Sequence, residues 1–270
     1  MKQKSAKKPA KKATKTKRSP RPVVRAAGFE VLGEVTAPSG TLGIFDIGLV
    51  GYLPREALEP AIVKAEVPKG RALAVLGKRV GKGRFGDCWD HVVVELARGE
   101  VASSRRLGKA GVDFARLVCM DLAALDHWQH EDSLDGRADF VFWGRDAGEL
   151  AKAMRARATP EGYGWTGLTV ADAEAKAVQA AQLKAEHRWL LATDLRPHSH
   201  HFHALAAARA SKHGAGTLEV GGIKVCLFFT SWGDGVFPIY LDLDANDRPL
   251  RVRVQLHTAD STAAMTAVNS

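Results

Sequence analysis

"VGKGRFGDCWDHVVVEL", residues Val80 to Leu96, decides between two folds. Its core is Gly81-x-Gly83-x-x-Gly86, a spacing used by loops that wrap nucleotide phosphates. In a dinucleotide-binding α/β fold that loop must open a helix, whose N-terminus holds the pyrophosphate. Here Cys88–Leu96 follows, rich in valine, and β-branched residues at that density specify a strand. A phosphate loop ending Gly-Lys-Ser/Thr is absent, because Gly83 follows Lys82. A protein-kinase glycine loop does sit between two strands, but it needs a lysine on the next strand and His-Arg-Asp and Asp-Phe-Gly motifs downstream. This chain has Glu95 where that lysine belongs, and neither motif occurs. The stretch is therefore expected to be a β-hairpin with a basic tip, Lys82 and Arg84 lying in solvent.

Working outward, the chain continues as strand candidates on both sides. "FEVLGEVTAPSGTLGIFDIG" gives two alternating runs around Ala37-Pro38-Ser39-Gly40 and predicts a hairpin. "AIVKAEVPKG", "RALAVLGKRV", "CWDHVVVELAR", "EVASSRRLG" and "GVDFARLVCM" extend this to a meander of about six or seven strands. Asp121 then caps a short helix bearing Leu122, Leu125 and Trp128. "ADFVFWG" predicts a strand, and "AGELAKAMRARA" a helix with Leu150 and Met154 four apart. Thr169, with Asp172 three residues on, opens a long helix to about Ala192, with Val178, Ala181, Ala185, Trp189 and Ala192 on one face. Another helix starts near Ser199 and ends at Lys212-His213-Gly214. "TLEVGGIKVCLFF" predicts a hairpin around Gly221-Gly222, and "VFPIYLDLD" pairs with "PLRVRVQL" across Ala245-Asn246-Asp247.

The expected fold is one α+β domain over 26–258. A mixed or mainly antiparallel sheet is shared by N- and C-terminal strands, and a mainly helical insert, 145–213, packs against it. Residues 259–270 are expected to be a flexible C-terminus.

Charge is distributed unevenly. The chain has 270 residues and a net charge of +9. Residues 1–25 carry eight lysines, three arginines and no acid, so subtracting these eleven charges from +9 leaves −2 for residues 26–270. The folded body is thus close to neutral, which argues against a basic nucleic-acid platform. The leader has nothing to bury and is expected to be disordered. Lys7, Lys8, Lys11, Lys12, Lys15, Lys17 and Arg18 are its candidate phosphate contacts, giving nonspecific nucleic-acid binding that does not read bases.

Cys88, Cys119 and Cys226 are odd in number and widely spaced, which fits a reduced cytoplasmic protein better than a disulfide scaffold. No apolar run is long enough to span a bilayer, and the N-terminus lacks the apolar core of a secretory signal, so no membrane partner is expected.

Each chemical motif has a simpler structural alternative. "RPHSHHFHAL" places His200 and His203 on one helical face as candidate metal ligands. No cysteine lies near, and the motif also reads as a polar helix start. Asp242, Asp244 and Asn246 match the first positions of a calcium loop, but Asp247 replaces its glycine and Arg253 its bidentate glutamate. Asp234, between Gly233 and Gly235, is the candidate catalytic residue, either a general base or a cap of its own turn. Asp87, Asp90 and His91 cluster beside Cys88, but alternation divides them between two faces. No cofactor and no bound metal are expected.

Three segments together resemble a bacterial domain-of-unknown-function family catalogued as DUF four-two-four-one. They are "GEVTAPSGTLGIFD" (33–46), "VDFARLVCMDLAAL" (112–125) and "TSWGDGVFPIYLDLDANDRPLRVRV" (230–254). Section 145–213 carries little of the likeness. The resemblance implies a bacterial cytosolic α+β protein without assigned catalytic residues, to which the Lys-rich leader is an addition.

Three functions follow in order. The first is a non-catalytic binding module for a protein or small ligand. The second is nucleic-acid association through the leader. The third is a hydrolase with its site near Asp234.

Overall fold

A computed structural model describes residues 28–83 and 86–257. The Lys-rich leader and residues 259–270 lie outside them, as does the very tip of the Gly81–Gly86 loop.

The elements run β1 (Phe29–Thr36), β2 (Thr41–Phe45), α1 (Arg55–Leu58), β3 (Val63–Glu66), β4 (Ala72–Gly83), β5 (Gly86–Glu95), β6 (Ser103–Val112), β7 (Arg116–Asp121) and β8 (Arg137–Trp143). Then come α2 (Ala147–Met154), β9 (Arg157–Thr159), β10 (Gly162–Thr169), α3 (Val170–His187), β11 (Ala192–Pro197), α4 (His200–Ala210), β12 (Ala215–Val220), β13 (Ile223–Phe229), β14 (Gly235–Leu243) and β15 (Pro249–Gln255). This is an α+β protein built mostly of antiparallel sheet.

The opening stretch forms the β4–β5 hairpin, whose ladder runs from Val75 opposite Val94 to Gly83 opposite Gly86. No helix follows the glycines, and Lys82 is exposed.

Among the described residues, fifteen strands fall into three sheets with orders β1-β4-β5-β15-β14-β6, β12-β13-β7-β2-β3 and β11-β8-β10-β9. The N- and C-terminal strands do share sheets. The C-terminal hairpin β14–β15 lies between β5 and β6, pairing with both.

The first half is not a meander. β1 pairs with β4, whereas β2 pairs with β3 and β7 in another sheet. The turn at Ala37–Gly40 exists, with Gly40 at φ +82 and its N–H on the Ala37 carbonyl. It carries the chain from one sheet to the other instead of folding it back on itself. Buried Asp121 secures that crossing by accepting from both the backbone N–H and the hydroxyl of Ser39.

The six- and five-stranded sheets face each other across the main core, where Leu42, Val75, Trp89, Cys119, Phe228, Ile239 and Val252 meet. The outer face of the five-stranded sheet is covered too. Val118, Met120, Val225 and Leu227 pack there against Ala204 and Ala208 of α4 and against Ala124 and Leu125. Burial on both faces explains why "VCLFF" is an unbroken apolar run instead of an alternating one.

Section 145–213 holds helices α2, α3 and α4, but also β9, β10 and β11. These strands join β8 in a sheet of their own, with α2 and α3 packed on Phe140 and Phe142. Thr169 caps α3 by accepting from the Asp172 N–H at 3.1 Å. The helix stops at His187, because Arg188 turns left-handed at φ 54. Its buried residues are Ala173 and Ala180, while Val178 is 59% exposed. The expected face is therefore rotated. On an alanine-rich helix several faces are equally apolar, and the close approach to β8 selects the smallest side chains.

Candidate functional site

α4 does more than cover a sheet. Ser199, His201, Leu205 and Arg209 run along it and line a cleft whose opposite wall is β11, from Asp194 to Pro197. The cleft has a volume of about 330 Å³, and Tyr52, Arg116 and His130 complete it.

Arg116 reaches the cleft through strand alternation. It begins β7, where Leu117 and Cys119 point into the sandwich and Arg116, Val118 and Met120 point toward α4. The turn before it is held by two carboxylates. Asp46, fully buried, accepts from the Asp113 and Phe114 N–H groups at 2.8 and 2.9 Å, and from the Gly48 N–H at 2.8 Å. Asp234 accepts from the Ala115 N–H at 2.8 Å, where Ala115 takes φ 52. Burial raises the Asp46 pKa, opposed by those three N–H bonds and by the Arg116 charge.

His130 enters from the loop after the 3-10 helix Leu122–His127. Its Nδ1 accepts from Trp128 Nε1 at 3.2 Å, which leaves the proton of the neutral ring on Nε2. The ring stacks on His201 with centroids 4.1 Å apart. Burial, with Arg116 adding to it, lowers the His130 pKa to about 4. Burial, His130, Arg116 and Arg209 lower His201 to about 3. Both imidazoles are therefore neutral at pH 7.

Four buried side-chain polar atoms lack a hydrogen-bond partner among the described residues, and two of them, Arg116 Nε and His201 Nε2, belong to this cleft. Stranding such groups costs about 1–3 kcal/mol each. The other two arginines are already engaged: Arg196 with Asp194 and Glu161, and Arg209 with Glu161 at 3.3 Å. Arg116 makes no ion pair among the described residues and packs on the Phe114 ring, 5.1 Å from its centroid. The cleft thus offers one uncommitted guanidinium and a neutral imidazole, a donor set suited to an oxyanion.

The residues singled out from sequence lie elsewhere. Asp234 is exposed and caps the Ala115 turn; it holds the backbone next to Arg116 without lining the cleft. His200 Nδ1 accepts from the Gln129 N–H at 3.0 Å and stacks on Trp128, while exposed His203 lies edge-on to His198. No group of three or more His, Cys, Asp or Glu is placed to hold a metal among the described residues. Asp242 is buried under Arg251 and Arg253, and Asp244 accepts from the Asn246 and Arg248 N–H groups, so the calcium-like segment is a turn with an ion cluster. Asp87 pairs with His213 at 3.0 Å and Asp90 with His91 at 2.8 Å, which separates that cluster. The leader's Lys7, Lys8, Lys11, Lys12, Lys15, Lys17 and Arg18 lie outside the described residues.

Sequence reading missed Arg116, His130 and His201 as a set. His201 stood inside the quoted histidine run, but its partners come from positions 71 and 85 residues away, and no local spacing joins them.

Comparison with protein-family models, with curated proteins and with solved structures finds nothing that matches this chain.

Proposed function

We propose that this protein is a non-catalytic binding module that holds a small organic anion in the cleft between α4 and β11. The observation that carries this is that two residues lining one cavity, Arg116 and His201, each hold a buried polar atom without a partner among the described residues, Nε and Nε2. An oxyanion seated in the cleft would offer both residues an acceptor and balance the Arg116 charge. Isothermal titration with phosphate, sulfate, acetate and succinate tests it, using wild type and R116Q with matched circular dichroism. One anion is expected to bind at a single site, and R116Q to weaken it about tenfold or more. Absence of binding by all four, or equal binding by a folded R116Q, contradicts it.

A second reading rests on the leader, whose eleven cations stand with no acid among them. It attaches the protein to nucleic acid without base specificity. About six to eight phosphate contacts give a log–log salt slope of roughly −5 to −7. If residues 26–270 alone bind DNA as tightly as the full chain, that reading is wrong.

We place the protein in a reducing compartment, the cytoplasm. Support comes from the odd number and wide spacing of Cys88, Cys119 and Cys226. No helix among the described residues is long and apolar enough to cross a membrane.

A further inference from the structure

Tyr52 is unusual among the residues of the cleft. It is 70% exposed, yet its ring is held in place, stacked on Phe114 with centroids 5.5 Å apart and planes 15° from parallel. Its position is built in by two glycines. A Cβ on Gly48 would stand 2.5 Å from the Phe114 ring, and one on Gly51, at φ +99, 2.7 Å from His130 Cδ2. The segment Gly48–Tyr52 therefore lies directly against the rings of Phe114 and His130. One face of Tyr52 rests on Phe114, and most of the side chain is left to solvent.

A fixed aromatic face left in water is a surface suited to a planar ring. Arg116 packs on the same Phe114 that supports Tyr52, so the stacking face and the anion-binding group share one platform. We propose that the ligand is a nucleoside monophosphate, with its base stacked on Tyr52 and its phosphate on Arg116 and His201. This rests on the anion-binding reading above and extends it to the part of the ligand that is not the anion. Phosphate suits the site better than carboxylate. Its three terminal oxygens meet donors arriving from separate elements, Arg116 from β7 and His201 from α4. The cavity of about 330 Å³ is at the small end for a ligand pocket, which favours one base, one sugar and one phosphate over a dinucleotide.

Dissociation constants for inorganic phosphate, ribose 5-phosphate, adenosine monophosphate and uridine monophosphate, measured on the full chain, test the proposal. Both nucleotides are expected to bind about tenfold or more tighter than ribose 5-phosphate, the gain attributable to one stacked base. Within each variant the ratio of adenosine monophosphate to ribose 5-phosphate affinity is the quantity read. Y52A brings that ratio toward one and Y52F restores it. If ribose 5-phosphate binds as tightly as the nucleotides, or the ratio survives Y52A, the base-stacking inference is overturned while the anion site stands. If none of the phosphates binds, both fall together.

Discussion

His130 stacks on His201 at a centroid distance of 4.1 Å and an interplanar angle of 19°. Burial depresses both pKa values, the Arg116 charge adds to it at both, and His130 adds further at His201. In the unfolded chain each protonates near the ordinary histidine value of about 6.5. The unfolded state therefore binds more protons below that pH, so stability is full above about 6.5 and falls as pH drops toward 4 and then 3. Urea melts across pH 8 to 4 are expected to show this decline. A double variant, H130F/H201F, is expected to flatten part of it; a curve unchanged by the substitutions would contradict the buried neutral pair.

Asp46 links the 3-10 segment Ile47–Leu49 to the turn before Arg116 through three backbone N–H groups. D46A strands all three donors in a fully buried position and is expected to destabilise by about 2–4 kcal/mol. D46N keeps an acceptor oxygen and loses less. Chemical denaturation of both variants checks the order.

Gly51 adopts φ +99, a region that L side chains rarely enter, and its missing Cβ leaves room for His130. G51A is expected to cost about 1–3 kcal/mol from backbone strain alone. It should also displace Tyr52 and His130, so anion affinity falls with stability. A fully stable G51A with intact binding would show that the close packing of this segment is not required.

The three cysteines are all buried and free. Burial raises each thiol pKa, that of Cys226 to about 12, and Asp87 adds to the rise at Cys88. Since only thiolates react, native protein at pH 8 is expected to resist a chromogenic disulfide reagent, and all three thiols to react after unfolding. Rapid labelling of a native thiol would show that it is not shielded by the core.

Much of the fold is legible locally. The glycine pair at 221–222 takes φ +57 and +80 and closes β12 on β13, as a two-residue turn demands. The caps at Asp121, Thr169 and Ser199 all accept the backbone N–H that starts their helical segments. What is not legible is partner choice. β1 and β2 alternate like a hairpin because each has one face in the same core, yet they belong to opposite sheets. β10 and β11, with Gly162, Gly164 and Gly167 or Asp194 and Arg196 in them, lack the β-branched density that marks a strand, and the hydrogen bonds of β8 recruit them. The cleft was hidden for a related reason. It forms where α4, β7 and β11 meet, so its residues share no period and no motif. Asp234, flanked by glycines, stood out because turn chemistry is local, and its carboxylate serves a turn.

Nitrogen-15 spectra of the imidazole side chains, recorded with and without adenosine monophosphate, test the account most directly. The His201 Nε2 resonance is expected to shift on addition and its pKa to move up from about 3, while His200 and His203 respond far less. A His201 resonance and pKa unmoved by saturating ligand would contradict an anion held at this cleft.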